Sequence, residues 1–183
     1  MRIDKLTSKL QLALSDAQSL ALKHKHNYIE PAHLLFVLLE QGGGSLKLLL
    51  SQTGFPLGQL QSKLLALIET FAQLKEHDGE ISISNDMVKM LNQAELLSSD
   101  MGDSYVSSET IMLVAMKADN ALAKILNSFG VSPQALKTAI NNLRSGETVD
   151  SANGEENFQS LERFCVDVTA KAQRDELDPV IGR

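Results

Sequence analysis

Tryptophan is absent from this chain, cysteine occurs once, and aromatic residues make up only 4% of 183 positions. A lone Cys165 excludes an intramolecular disulfide framework, so any fold must be held by packing, and the cysteine usage suits a cytoplasmic protein better than a small secreted one. So few aromatic rings give no stacking platform for single-stranded nucleic acid. Positive charge is also scarce: the net charge is −6 and the pI about 5.2, which argues against a nucleic-acid surface. The one basic concentration, Lys23-His24-Lys25-His26, holds two full charges and reads as a solvated helix end. No long apolar run exists either. Runs such as Leu34 to Leu39 fall far short of the roughly 20 residues that span a bilayer, so no membrane partner is expected. Arg2 to Lys9 alternates charged and apolar residues without a continuous apolar region, and reads as structure, not a targeting peptide.

The constellations that carry catalysis are missing as well. The histidines are His24, His26, His33 and His77. His24 and His26 lie two apart, a spacing that points them in different directions on a helix, and Cys165 is distant from all four, so no metal site is expected. No GxSxG nucleophile elbow occurs. Glycines 42 to 44 lack the lysine and spacing of a phosphate-binding loop and read as a plain loop. The chain is not expected to be an enzyme by itself.

What the sequence does contain is a repeat. Residues 17–34, AQSLALKHKHNYIEPAHL, match residues 94–111, AELLSSDMGDSYVSSETI, class by class. The register of 77 also pairs Thr7 with Ser84, Leu10 with Met87, Leu14 with Leu91 and Val37 with Val114. After one adjustment at the glycine loop the register becomes 76, pairing Leu50 with Leu126, Gly54 with Gly130, Leu60 with Leu136 and Leu67 with Leu143. An ordered pattern of this length with a single indel is an internal duplication.

Each copy reads as four helices. Leu10, Ala13, Leu14, Ala17, Leu20 and Ala21 recur at steps of three and four, giving one apolar face. Thr7 stands before that stripe as its N-cap, and Ser84 holds the same place before Met87, Met90, Leu91 and Ala94. The second helix starts at Glu30-Pro31 with proline at the first helical position; it is apolar nearly all round and should be central. Its counterpart starts at Ser107, with Glu109 in the first turn favouring the helix dipole. Shorter helices follow over 45–52 and 120–129, closed by Gly54 and Gly130 as C-caps. The last pair covers 57–75 and 133–144. The expected fold is all-α: two pseudo-symmetric four-helix repeats, residues 1–76 and 77–144, packed face to face.

Beyond residue 144 the composition shifts. Residues 145–157, SGETVDSANGEEN, hold four acidic residues, two glycines and no base, and read as a flexible acidic linker. Residues 158–183 regain a helical pattern through Leu161, Phe164, Cys165 and Val168, then break at Pro179, as the start of a further, truncated domain.

Divergence between the copies points to binding. Where the first has KHKHNYIEPAH, the second has SDMGDSYVSSET, placing Asp103 and Glu109 around its inter-helix loop near Leu97 and Met101. Carboxylates beside exposed apolar side chains suit extended polypeptides with basic and hydrophobic residues.

RIDKLTSKLQLALSDAQSLA near the start, IEPAHLL at 29–35, the duplicated unit, and VDVTAKAQRDELDPVIGR at the end together resemble the amino-terminal region of bacterial ClpB-type disaggregases, in the Clp family of AAA+ ATPases. That resemblance implies two pseudo-repeats of four helices that engage unfolded or aggregated polypeptides. It implies that the longer protein forms a homo-hexamer, binds ATP and Mg2+, and works with the DnaK chaperone system. By the same resemblance Thr7, Asp103 and Glu109 are substrate-engaging, and Leu97 belongs to an apolar groove, although Gln93 and Thr110 are polar where that groove would be apolar. Val180 and Ile181 match residues of the family's adenine site; no Walker A or Walker B segment occurs, so no cofactor is expected for this chain itself. An adaptor-docking domain of a Clp protease ATPase is the alternative of the same architecture.

Overall fold

A computed structural model describes residues 3–41, 46–76 and 79–155. The glycine loop at 42–44, His77, Cys165, the helical pattern of 158–183, and Val180 with Ile181 all lie outside the described residues. Eight α-helices appear among those described: α1 Ser8–Lys23, α2 Pro31–Glu40, α3 Leu46–Thr53, α4 Leu57–Glu69, α5 Asn85–Asp100, α6 Ser108–Lys117, α7 Ala121–Asn127 and α8 Pro133–Arg144. They form two sets of four, α1–α4 and α5–α8, as the duplication predicts.

The caps explain where the helices begin. Thr7 Oγ1 accepts from the Leu10 amide at 3.3 Å, and Ser84 Oγ accepts from the Met87 amide at 3.1 Å. These are equivalent atoms 77 residues apart, each satisfying one of the orphan donors of a first helical turn. Asn120 and Ser132 do the same for α7 and α8. Gly54 and Gly130 take φ of +100° and +82° after α3 and α7, the left-handed turn that a side chain disfavours. Ser107 stands at the N-cap of α6, but its hydroxyl does not cap the helix and instead meets Thr110 Oγ1 at 3.1 Å and Arg144 Nη2 at 3.0 Å. The helices α3, α4 and α7 are each somewhat displaced or shorter than the periodicity predicted.

One core serves both repeats. α1 buries Leu10, Ala13, Ala17 and Ala21, and the three small alanines let α2 approach closely. α2 buries seven of its ten residues and α6 nine of its ten, so both are the central helices expected. Each fully buried leucine of α2, such as Leu34 or Leu35, contributes roughly 1.5–3 kcal/mol. Across the repeat boundary α3 packs on α8, and α4 packs on α7. Exchanging the two repeats turns the first pair into the second.

Strand-like pairing, invisible to periodicity, joins the repeats. β1 (Tyr28–Ile29) runs parallel to β2 (Ser82–Ile83), with Ile29 opposite Ile83. A second parallel bridge joins Leu6 to Val106. Shifting each residue by 77 converts Ile29–Ile83 into Val106–Leu6, so the segment before each first helix pairs with the segment before the other repeat's second helix. The two bridges are one interaction made twice about a pseudo-twofold axis.

The expected linker is not a linker as far as residue 155. Val149 is fully buried; its carbonyl accepts from Ser104 N at 2.9 Å and Tyr105 N at 3.2 Å. Further on, the Ala152 carbonyl accepts from Ser8 N at 2.7 Å. In the first repeat the antiparallel bridge of Gln73 to His26 and the bond from Leu74 N to Lys25 O occupy the corresponding place. Residues 145–150 thus complete the second repeat, and the acidic composition conceals a strap laid back against the start of α1.

Candidate functional site

Between α5 and α6 the chain turns at Gly102, and the carboxylate of Asp103 points inward. Its Oδ2 accepts from Arg144 Nη1 at 2.8 Å, and its Oδ1 accepts from the Val149 amide at 2.9 Å. Arg144 also reaches Glu109 Oε1 at 3.4 Å through Nη2. Glu109 has no exposed surface and Arg144 only 4%. This corrects the expectation that Asp103 and Glu109 stand as carboxylates beside exposed apolar side chains: α6 enters the core directly at Ser108, so the first-turn carboxylate is buried with it. At the equivalent of Arg144 the first repeat has Ile68, and that basic-for-apolar exchange was the signal in the sequence.

Thr7 belongs to the same interior. Besides capping α1, its hydroxyl donates to the carboxylate of Glu155, which is itself buried. Burial first, and the neighbouring Glu109 carboxylate second, push Glu155 up to about 7, with the Thr7 hydrogen bond acting in the opposite direction. The strap is thereby fastened at both ends, by Asp103 at Val149 and by Thr7 at Glu155.

In the first repeat the matching corner is built from imidazoles. Lys25 adopts φ +59° and bends the chain after α1, so His24 and His26 stack with centroids 5.3 Å apart despite their spacing. The Glu30 amide donates to His33 Nδ1 at 2.8 Å. His33 Nε2 must then carry the ring proton, and it faces His26 Nδ1 at 2.9 Å. Both rings are buried, and Phe71 packs edge-on against each. The reading of Lys23 to His26 as a solvated end therefore fails at His26.

A different surface is open. Ile3, Leu6 and Leu14 face Ile83, Val88 and Leu91 across an apolar groove of about 210 Å³ between the start of α1 and the start of α5. Its remaining lining residue is Asn92, so no charged side chain lines it. Ile3 is 61% exposed, Ile83 41% and Val88 39%. That volume is below the range of about 300–1,000 Å³ typical of small-molecule pockets and suits a few side chains of a longer ligand. Leu97, expected in a groove, is half-buried against the core, away from this one. Gln93 lines a separate cleft with Lys89 and Asp119, and Thr110 is buried on Ser107. The groove residues could have been found in the sequence as apolar positions at the starts of the two equivalent helices.

Residues 5–129 match the Clp repeat (R) N-terminal domain. The chain belongs to this family. It is closely related to ClpB-type chaperones: the chaperone protein ClpB of Pseudomonas putida is 50% identical over all of this chain, which covers 21% of that protein. The chain therefore spans about a fifth of the length of the curated relatives it matches. The Hsp104 N-terminal domain of Candida albicans has the same fold, with TM-score 0.72 and 21% identity, covering 82% of this chain and 99% of that one. A ClpV N-domain solved in complex with a VipB peptide gives TM-score 0.63 and 27% identity, covering 76% of this chain and 86% of that one. Among the described residues no cluster of three or more His, Cys, Asp or Glu side chains could hold a metal, and no helix is long and apolar enough to cross a membrane.

Proposed function

We propose that this chain is the substrate-engaging N-terminal domain of an ATP-dependent, ClpB-type disaggregase in the cytoplasm, and that the groove between α1 and α5 is where client polypeptide first rests. One observation carries the reading: the groove combines exposed Ile3, Ile83 and Val88 with a lining free of charge. Apolar contacts of this kind are non-directional and scale with area, so they favour unfolded chains that display hydrophobic side chains over folded ones that hide them. The peptide held by the related ClpV N-domain supports binding of short segments.

Thr7, Asp103 and Glu109 enter this proposal as positioning residues. Thr7 follows Leu6 in the groove wall, and the Thr7 amide donates to the Val106 carbonyl at 3.0 Å, so the polar network braces the wall from behind. Leu97 braces α5 from the core side. Hexamer formation, cooperation with the DnaK system, and ATP with Mg2+ bound partly by Val180 and Ile181 belong to the longer protein in this reading. Six weak sites on one ring would gain through multivalency.

Titration of the chain, methyl-labelled, with a permanently unfolded protein tests the proposal. Shifts should concentrate at Leu14, Ile83, Val88 and Leu91. No response at high micromolar concentration overturns it, and preference for a folded adaptor protein would favour the Clp protease ATPase instead.

A further inference from the structure

The groove sits on the pseudo-twofold axis. Under the register of 77, Leu6 corresponds to Ile83 and Leu14 to Leu91, and all four line it. A twofold axis that emerges through a surface turns any chain lying across it end for end. The two walls of the groove therefore offer nearly the same apolar surface to a segment running either way.

Backbone pairing could still impose a direction, as it does wherever a strand is added to a sheet edge. Here most amides that border the floor are already bonded: Leu6 N to Ile3 O at 3.0 Å, Thr7 N to Val106 O at 3.0 Å, Ser82 N to Asn27 O at 3.4 Å and Ser84 N to Ile29 O at 3.1 Å. The Ile83 N–H, which strand alternation turns away from β1, is a single donor and too little to fix the direction of an added strand. The walls beyond them are helix faces, whose amides close their own turns. Charge supplies no polarity either, since the lining has none. Three positions break the symmetry. Ile3 extends the first repeat's wall where the second has Glu80, whereas Val88 extends and Asn92 interrupts the second's wall where the first has Gln11 and Ser15; none of the three adds a charge to the groove itself.

Resting on the client-binding reading above, we infer that this groove accepts uncharged, apolar polypeptide segments in both chain directions. An unfolded client presents apolar stretches with either end leading, and a groove indifferent to direction captures both kinds with one site. The symmetry that duplication gave the fold is, on this inference, what gives the site its breadth.

The test uses the intact 183-residue chain. A short apolar peptide carries a nitroxide at its amino end in one sample and at its carboxyl end in another, and paramagnetic broadening is read at methyls of Leu6 and Leu14 against Ile83 and Leu91. Each label should broaden both sets, with neither orientation preferred by more than about tenfold, equivalent to about 1.4 kcal/mol. The reversed-sequence peptide should bind within the same factor. Broadening that is confined to one repeat and switches to the other when the label changes ends would overturn direction-neutrality while leaving client binding intact. Absence of binding, or shifts only outside these residues, would overturn both.

Discussion

The Arg144 guanidinium lies 2.8 Å from Asp103 Oδ2, joining the last residue of α8 to the loop before α6 inside the protein. Two carboxylates share that cation, and its removal leaves both buried without it. Arg144→Met, close in volume, should therefore destabilise the fold by about 3–5 kcal/mol. Urea unfolding followed by far-UV circular dichroism measures it, since no tryptophan is present to report by fluorescence. Asp103→Asn, which keeps an acceptor for the Val149 amide, should cost less.

Thr7 and Ser84 hold equivalent caps, but only Thr7 also bonds the Glu155 side chain. Loss of either cap should cost about 0.5–2 kcal/mol. Thr7→Ala should exceed Ser84→Ala, and Thr7→Ser should recover most of the difference. Equal losses would mean that the strap adds nothing at this point.

Ionisation of Glu155 opposes the strap. Its carboxyl titrates at about 7 in the fold against 4.5 otherwise, so its contribution to stability is complete below pH 4.5 and is lost as pH rises through 7. The groups facing it are Glu109, the Ser108 hydroxyl and backbone, and the Thr7 hydroxyl, none of which supplies a cation. Hydrogen exchange at the Ser8 amide, corrected for the intrinsic rate, should accelerate from pH 4.5 to about 7, the window set by those two values. Glu155→Gln should abolish that acceleration.

The histidine corner has the opposite sign. Burial, then the neighbouring His26 and His24, hold His33 down at about 4, below its usual 6.5. Burial and His24 also lower His26. A second proton on His33 would set its Nδ1–H against the Glu30 amide, and one on His26 would set its Nδ1–H against His33 Nε2–H. Stability from this corner is present above pH 6.5 and is lost as pH falls toward 4. In the wild-type chain the Glu155 and histidine windows overlap and partly cancel. Melting of Glu155→Gln should therefore unmask a clear fall in Tm from pH 6.5 to 4, and a flat profile there would contradict the assigned tautomers.

Much of this architecture was legible because helices announce themselves by period and caps by chemistry: Thr7 and Ser84 both stand where hydroxyls were expected to cap. What the pattern could not carry was anything set by tertiary context. Two-residue strands have no period to detect, so β1 and β2 went unseen. Residues 145–155 look solvated because Glu147, Asp150 and Glu155 dominate their composition, yet one buried Val149 and one buried carboxylate hold them down. Asp103 and Glu109 read as surface charge because nothing local marks a partner 41 or 35 residues away at Arg144. The groove is hidden for a related reason, since its walls are assembled from both copies.

On the proposed function the groove touches clients and the buried network only holds its walls. Affinity for a permanently unfolded protein, measured on wild type, an Ile83→Ser/Val88→Ser double variant and Glu109→Gln, each at a temperature where all are folded, tests it directly. The groove variant, altered at exposed positions, should lose about tenfold or more with little change in Tm, while Glu109→Gln should lose stability first and retain affinity wherever it stays folded. A folded Glu109→Gln that no longer binds, beside a groove variant that binds as well as wild type, would contradict the account.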